Sequence, residues 1–131
     1  MEKSLYKEEL LEIYSEKPNY GKLKGKTHEL KQRNPICDDE ITLELKIKDN
    51  KIIDAKFHGV NCFVTTVSSS VLTEKIKGMK IEQALKLTKK DIDEWLGIKI
   101  TPGRIRCELL ALDALKKLKI DVKNNARNKK S

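Results

Sequence analysis

The chain has 131 residues, 38% hydrophobic and 37% charged, which is enough to bury one core without disulfide staples. Its apolar stretches are only a few residues long and its first twelve residues, MEKSLYKEELLE, carry charge throughout, so a signal peptide and a membrane span are excluded and a cytoplasmic protein is expected. The net charge of +8 sits mostly in seven basic residues against one acidic residue from Lys116 to Ser131, and three Tyr, two Phe and one Trp offer no basic and aromatic interleaving, so nucleic-acid binding is not expected.

In chain order, Leu5, Leu10, Ile13 and Tyr14 fall near helical spacing and predict an amphipathic helix over Glu2 to Ser15, ended by Pro18, Asn19 and Gly21. The polar segment Lys24 to Arg33 is a candidate edge strand. From Ile41, the residues Ile41, Leu43, Leu45 and Ile47 alternate with Thr42, Glu44, Lys46 and Lys48, the pattern of a half-buried strand. Asp49 and Asn50 supply a turn, and Ile53, Ala55 and Phe57 alternate again, which predicts an antiparallel hairpin.

Beyond His58 and Gly59, a helix is expected to carry Val64, Val67 and Val71 on one face, with Ser68, Ser69 and Ser70 as small packing residues rather than nucleophiles. Lys80 to Lys86 reads as a short helix. Thr88 with Asp91 caps the next one, DIDEWL, which Gly97 terminates. After Pro102 and Gly103, the spacing of Ile105, Leu109, Leu112, Leu115 and Leu118 predicts a long helix lying on the sheet. The expected class is α+β, a small antiparallel sheet of about three strands packed against several helices. One domain is expected at 1–119, with a basic, disordered tail at 120–131, whose composition has little to bury.

Each cysteine stands at a boundary: Cys37 before a strand, Cys62 between a strand and a helix, and Cys107 in the first turn of the last helix. An odd thiol count in a reducing compartment argues for metal ligands over a disulfide framework. If the fold gathers them, the three sulfurs and Asp39 form a soft four-ligand pocket suited to zinc or iron. Cys62, at a helix N-terminus, gains thiolate character from unpaired N–H groups. Arg104 and Arg106 flank Cys107 and are expected to lower its pKa or to contact a partner. His58 lies four residues before Cys62 and is a weaker candidate ligand; nothing in the sequence brings His28 near. Spacings of 25 and 45 residues between the cysteines are unlike the close ligand pairs of a structural zinc knuckle.

The stretches YSEKPNYGKL from Tyr14, NPICDD from Asn34, GVNCFVTTVSSSVLTE from Gly59 and RIRCELLALDAL from Arg104 resemble the IscU, SufU and NifU N-terminal family of iron-sulfur cluster assembly scaffolds. The resemblance runs from about Tyr6 to about Leu118. It implies an IscU-like fold and a scaffold or sulfur acceptor rather than an enzyme. Such a protein takes persulfide sulfur from a cysteine desulfurase, binds iron, builds a transient two-iron two-sulfur cluster and passes it to acceptor proteins. By the resemblance Cys37, Asp39, Cys62 and Cys107 are the metal ligands, and Cys107, Cys62 or Cys37 receives the sulfur.

Two departures qualify the match. Asp38 stands where the family has glycine, and ITPGRIRC stands where IscU has a proline-rich chaperone-recognition stretch followed by a histidine, so chaperone recognition is not expected; Arg106, in the histidine's place, cannot ligate a metal, and the expected fourth ligand is Asp39 rather than a histidine. Arg104 to Cys107 looks more like the SufU branch, whose longer insertion is absent. The alternative is therefore a zinc-binding SufU-like sulfur acceptor that stimulates a desulfurase without assembling a cluster.

Overall fold

The computed structural model describes residues 2–34, 39–59 and 62–118, with the backbone alone for 2–7; Cys37, Asp38 and the expected tail at 120–131 lie outside the described residues. The elements are α1 (Glu2–Glu16), β1 (His28–Asn34), β2 (Asp39–Lys48), β3 (Lys51–His58), α2 (Phe63–Ile76), α3 (Ile81–Leu85), α4 (Lys89–Leu96) and α5 (Ile105–Lys116), the last entered through a 3-10 turn at Pro102–Arg104. The strands form one antiparallel sheet in the order β1-β2-β3. Helices α2 and α5 pack against each other and cover one sheet face, α5 on β1 and β2 and α2 on β3, while α1 and α4 flank α2. The expected α+β architecture is thus observed, and the polar segment ahead of Arg33 does supply the edge strand.

The hairpin turn is local chemistry. Asp49 and Asn50 both adopt positive φ, 53° and 65°, as a two-residue turn matched to the strand twist requires. The strand that follows departs from expectation. Residues Lys46 and Asp54 pair, but Ile47 pairs with Ile52, so β3 carries one extra residue at a bulge. That shift turns Ile52 into the core and leaves Ile53 44% exposed, whereas the alternation of Ile53, Ala55 and Phe57 placed all three inside.

Nor is β2 half-buried. Ile41, Leu43 and Leu45 face the helices as expected, but Thr42 and Glu44 on the opposite face are also buried. The cover is the segment 17–27. Asn19 accepts from Phe57 N–H, Gly21 donates to the Phe57 carbonyl, and Thr27 donates to the Leu45 carbonyl, so this strap spans from β3 across to β1. Between those anchors Leu23 N–H donates to Glu44 Oε1 at 2.7 Å, while Lys26 Nζ lies 3.1 Å and His58 Nε2 3.0 Å from Glu44 Oε2. A buried carboxylate is tolerated when its lone pairs are filled in this way.

The helices also differ from simple stripes. In α2, Val67 is buried with Thr65, Thr66, Ser68, Ser69, Ser70, Leu72 and Thr73, because other elements surround the helix on most sides. The small side chains permit that approach, and hydroxyls bond back to helix carbonyls, Ser68 to Thr65 at 3.2 Å and Thr73 to Ser69 at 2.8 Å. In α5, Ile105 and Leu109 are only half-buried; the buried set is Cys107, Leu110, Ala111, Ala114, Leu115 and their neighbours, since the helix touches α2 on one side and the sheet on another. In α4 the expected cap is present, with Thr88 N–H donating to Asp91 Oδ2 at 2.8 Å and Gly97 closing the helix at φ 68°. No helix among the described residues is long and apolar enough to cross a membrane.

The Glu44 site has a titration signature. Burial works to raise its pKa, but the Leu23 N–H, His58 and Lys26 outweigh that and bring it from 4.5 to about 2. A group depressed on folding stabilises the fold above its unfolded pKa and loses that contribution as pH falls through the folded value. Glu44→Gln is therefore expected to lower unfolding free energy by about 2–3 kcal/mol at pH 7. The gap from the native protein should close between pH 4.5 and 2 in urea titrations; an equal gap at both pH values would contradict the assignment.

Candidate metal and sulfur site

Side-chain period decides which residues of the sheet reach this site. Asp39 is in step with Ile41, Leu43 and Leu45, so it stands at the end of β2 on the helix-covered face, and the register pairs it with Asn34, in step with Leu30 on β1. Both are buried, Asn34 at 3% and Asp39 at 7% exposure. Asp39 Oδ2 is buried with no hydrogen-bond partner among the described residues.

Gly59 leads out of β3 toward the second element of the site. Its φ is +95°, and a Cβ there would approach the Glu40 carbonyl oxygen to 3.2 Å, so glycine is demanded by both conformation and space. Cys62 then occupies the N-cap of α2 in extended conformation, half-buried. Burial pushes its thiol up, but the N–H groups of Thr65 and Val64, with smaller contributions from the Thr65 hydroxyl and the Cys107 thiol, outweigh that and hold its pKa below the ordinary value. The helix N-terminus acts on Cys62 as the sequence predicts.

Cys107 is the third residue of α5 and is fully buried. Its thiol faces Cys62 closely enough to stabilise that sulfur's thiolate, and the Asn34 amide nitrogen lies 3.9 Å from Cys107 Sγ. Two cysteines 45 residues apart, and an Asn–Asp pair from the end of the β1-β2 ladder, thus meet at one end of the molecule. The donors, two sulfurs and a carboxylate oxygen, suit zinc or iron. Among the described residues no three His, Cys, Asp or Glu side chains are placed to hold a metal ion together, so Cys62 and Cys107 meet without Asp39 completing a three-ligand set; the fourth expected ligand, Cys37, lies outside the described residues.

Other residues are placed differently from expectation. Arg104 does not serve Cys107: its Nη1 lies 3.4 Å from Cys62 Sγ, because the 3-10 turn sets it one step before α5 and alongside the start of α2. Arg106 is exposed where Cys107 is buried, and it lies by Asp113, whose carboxyl burial pushes up while Arg106 opposes. His58 is engaged by Glu44 on the opposite face of the sheet, and His28 bonds Thr27 at 2.8 Å. Neither histidine joins the cysteines.

Two further buried polar residues, Asn34 and Glu108, stand beside Cys107. Asn34 opens the NPICDD stretch, and a side-chain period counted back from Leu30 would have placed it inward. Glu108 follows Cys107 into the interior; burial first, then Asp93, pushes its carboxyl up to about 7, while Lys89 opposes. Neither Glu108 oxygen has a hydrogen-bond partner among the described residues, and Lys89 of α4 lies 4.0 Å from Glu108 Oε1 in the first turn of α5. No pattern in the chain marks that glutamate as buried.

Residues 5–129 match the family described as NifU-like N terminal domain. The chain belongs to that family. This NifU-like domain is 34% identical over 117 residues to the iron-sulfur cluster assembly scaffold protein IscU 1 of Archaeoglobus fulgidus, covering 89% of the chain and 76% of that protein. It is 31% identical over 131 residues to the zinc-dependent sulfurtransferase SufU of Bacillus subtilis, covering 87% of the chain and 88% of SufU. The crystal structure of a nitrogen-fixing NifU-like protein (N-terminal) from Brucella abortus has the same fold, with a TM-score of 0.69, 17% identity and coverage of 88% and 92%. The NifU-like chain is therefore a member of the iron-sulfur cluster assembly scaffold family, IscU, SufU and NifU N-terminal.

The depressed pKa of Cys62 has a direct readout. In metal-free protein, the rate of Cys62 alkylation by iodoacetamide, followed by peptide mass, is expected to reach half its plateau below the ordinary thiol pKa of 9.0. A midpoint at or above that value would refute the helix-terminus account.

Proposed function

We propose that this chain accepts persulfide sulfur from a cysteine desulfurase, binds iron, builds a transient two-iron two-sulfur cluster and transfers it to acceptor proteins. The supporting observation is the convergence of Cys62 and Cys107 at the end of the ladder where Asn34 pairs with the buried Asp39. Sulfur entry needs a thiolate. A site sulfur attacks the outer sulfur of the desulfurase persulfide; the new S–S bond forms as the old one breaks, the desulfurase cysteine leaves as thiolate, and the persulfide remains on the scaffold. Cys62 offers more surface to an incoming partner, while Cys107 lies deeper. Cys37, Cys62 and Cys107 are the candidate acceptors, and with Asp39 they are the candidate ligands for iron.

Asp39 makes the site a transfer station rather than a store. Its oxygen is a harder and weaker donor to iron than a thiolate, so cargo held partly by it is more readily released. Anaerobic incubation with iron(II), cysteine, a desulfurase and a dithiol reductant, which takes the transferred sulfane sulfur to sulfide, is expected to develop visible sulfide-to-iron absorption, and Asp39→Ala is expected to hold that colour several-fold longer in the presence of an apo-ferredoxin. An unchanged transfer rate would remove Asp39 from this role.

A second reading is favoured by the similarity to the zinc-dependent sulfurtransferase SufU and by the Arg104 contact to Cys62. Here the same residues would hold zinc, which would keep the thiolates ordered and deprotonated, and the chain would stimulate a desulfurase without assembling a cluster. Persulfide transfer without colour in the same incubation is the result expected of that alternative.

A further inference from the structure

Asn34 is the one buried neutral amide between the two ligand-bearing parts of the described site. It ends β1, is 3% exposed, pairs across the ladder with Asp39, and directs its Nδ2 at Cys107 Sγ over 3.9 Å. It thereby links the β1-β2 ladder to a helix 73 positions away. Its chemistry suits the place. An amide nitrogen donates to sulfur, and only that end of the group can face a thiolate, whose electron pairs would repel the amide oxygen. A lysine or arginine there would offset the negative charge that Asp39 and the sulfurs use to hold a cation; an aspartate would add to the repulsion among them. Asn34 gives Cys107 a donor and leaves the charge of the site unchanged.

We propose that Asn34 is a positioning residue for Cys107: its N–H···S contact aims the sulfur of α5 toward the Asp39 end of the ladder and lowers the electron-donating strength of that one thiolate. The two described sulfurs are then unequal by construction. Cys62 is served by helix N–H groups and the exposed Arg104, whereas Cys107 is served from the interior by a neutral group. Hydrogen bonds to ligating atoms are among the means by which proteins orient ligands and tune metal centres. The proposal rests on the reading that Cys107 is a ligand.

Cobalt(II) is a suitable probe, because its thiolate charge-transfer absorption reports on each bound sulfur and needs no desulfurase or cluster. With cobalt bound, Asn34→Leu, which keeps the volume and removes the donor, is expected to move that absorption to longer wavelength. Asn34→Ser, whose hydroxyl is too short to reach, should do the same and provides a second route if the leucine variant fails to fold. The shift should disappear in a Cys107→Ser background and persist in Cys62→Ser. An unshifted band in folded, cobalt-loaded Asn34 variants, with only a lowered Tm, would overturn the positioning role while leaving the metal site intact. A native protein showing no cobalt–thiolate band would overturn the metal-site reading and this proposal together.

Discussion

Helices α2 and α5 begin at the same place, and their close packing is what makes a site out of residues distant in the chain. Small hydroxyl-bearing side chains along α2 allow that approach; Ser68 and Thr73 return their protons to the helix carbonyls, while the buried hydroxyls of Thr65, Thr66, Ser69 and Ser70 have no hydrogen-bond partner among the described residues. With the two helices in contact, the first positions of each bring Cys62 and Cys107 together. The helix terminus that stabilises the Cys62 thiolate is the same terminus that packing fixes against α5. Core packing and sulfur chemistry are therefore parts of one arrangement.

The sheet serves that arrangement from its helix-covered face, and its other face explains why the ladder end is held firmly. The strap at 17–27 crosses β2 and is anchored through Glu44, whose carboxylate is filled by Leu23, Lys26 and His58. A histidine that the chain order brings near Cys62 is thereby committed to the far side. The strap also bonds β3 at Phe57 and β2 at Leu45, so it is held by main-chain contacts as well as by the charged cluster. At the β1 edge, the Lys117 ammonium from the end of α5 bonds the Lys31 carbonyl, which joins this strand to the same helix that carries Cys107.

Much of the architecture was legible because it is set by neighbours in sequence. Positive φ at Asp49 and Asn50, the Thr88–Asp91 cap and the αL terminus at Gly97 are local preferences, read within a few residues. The bulge at Ile53 was not legible, since both registers place apolar residues inward and only the pairing with β2 selects Ile52. Burial of Thr42 and Glu44 escaped for a related reason: alternation describes one strand, while the covering strap comes from elsewhere in the chain. Arg104 was read as a neighbour of Cys107 because the two are three positions apart, yet the turn between them sends its guanidinium to Cys62.

The sequence by itself determined the element types, the hairpin turn, the family to which the chain belongs and the positions of Cys62 and Cys107 at the start of a helix, because propensity, capping and motif are local properties. Tertiary structure alone decided that Cys62 and Cys107 face one another, that Asn34 addresses the deeper sulfur, and that Asp39 enters the interior with an unfilled oxygen. Those relations depend on how helices and sheet pack across tens of residues, and side-chain burial and direction follow from that packing rather than from the residues on either side.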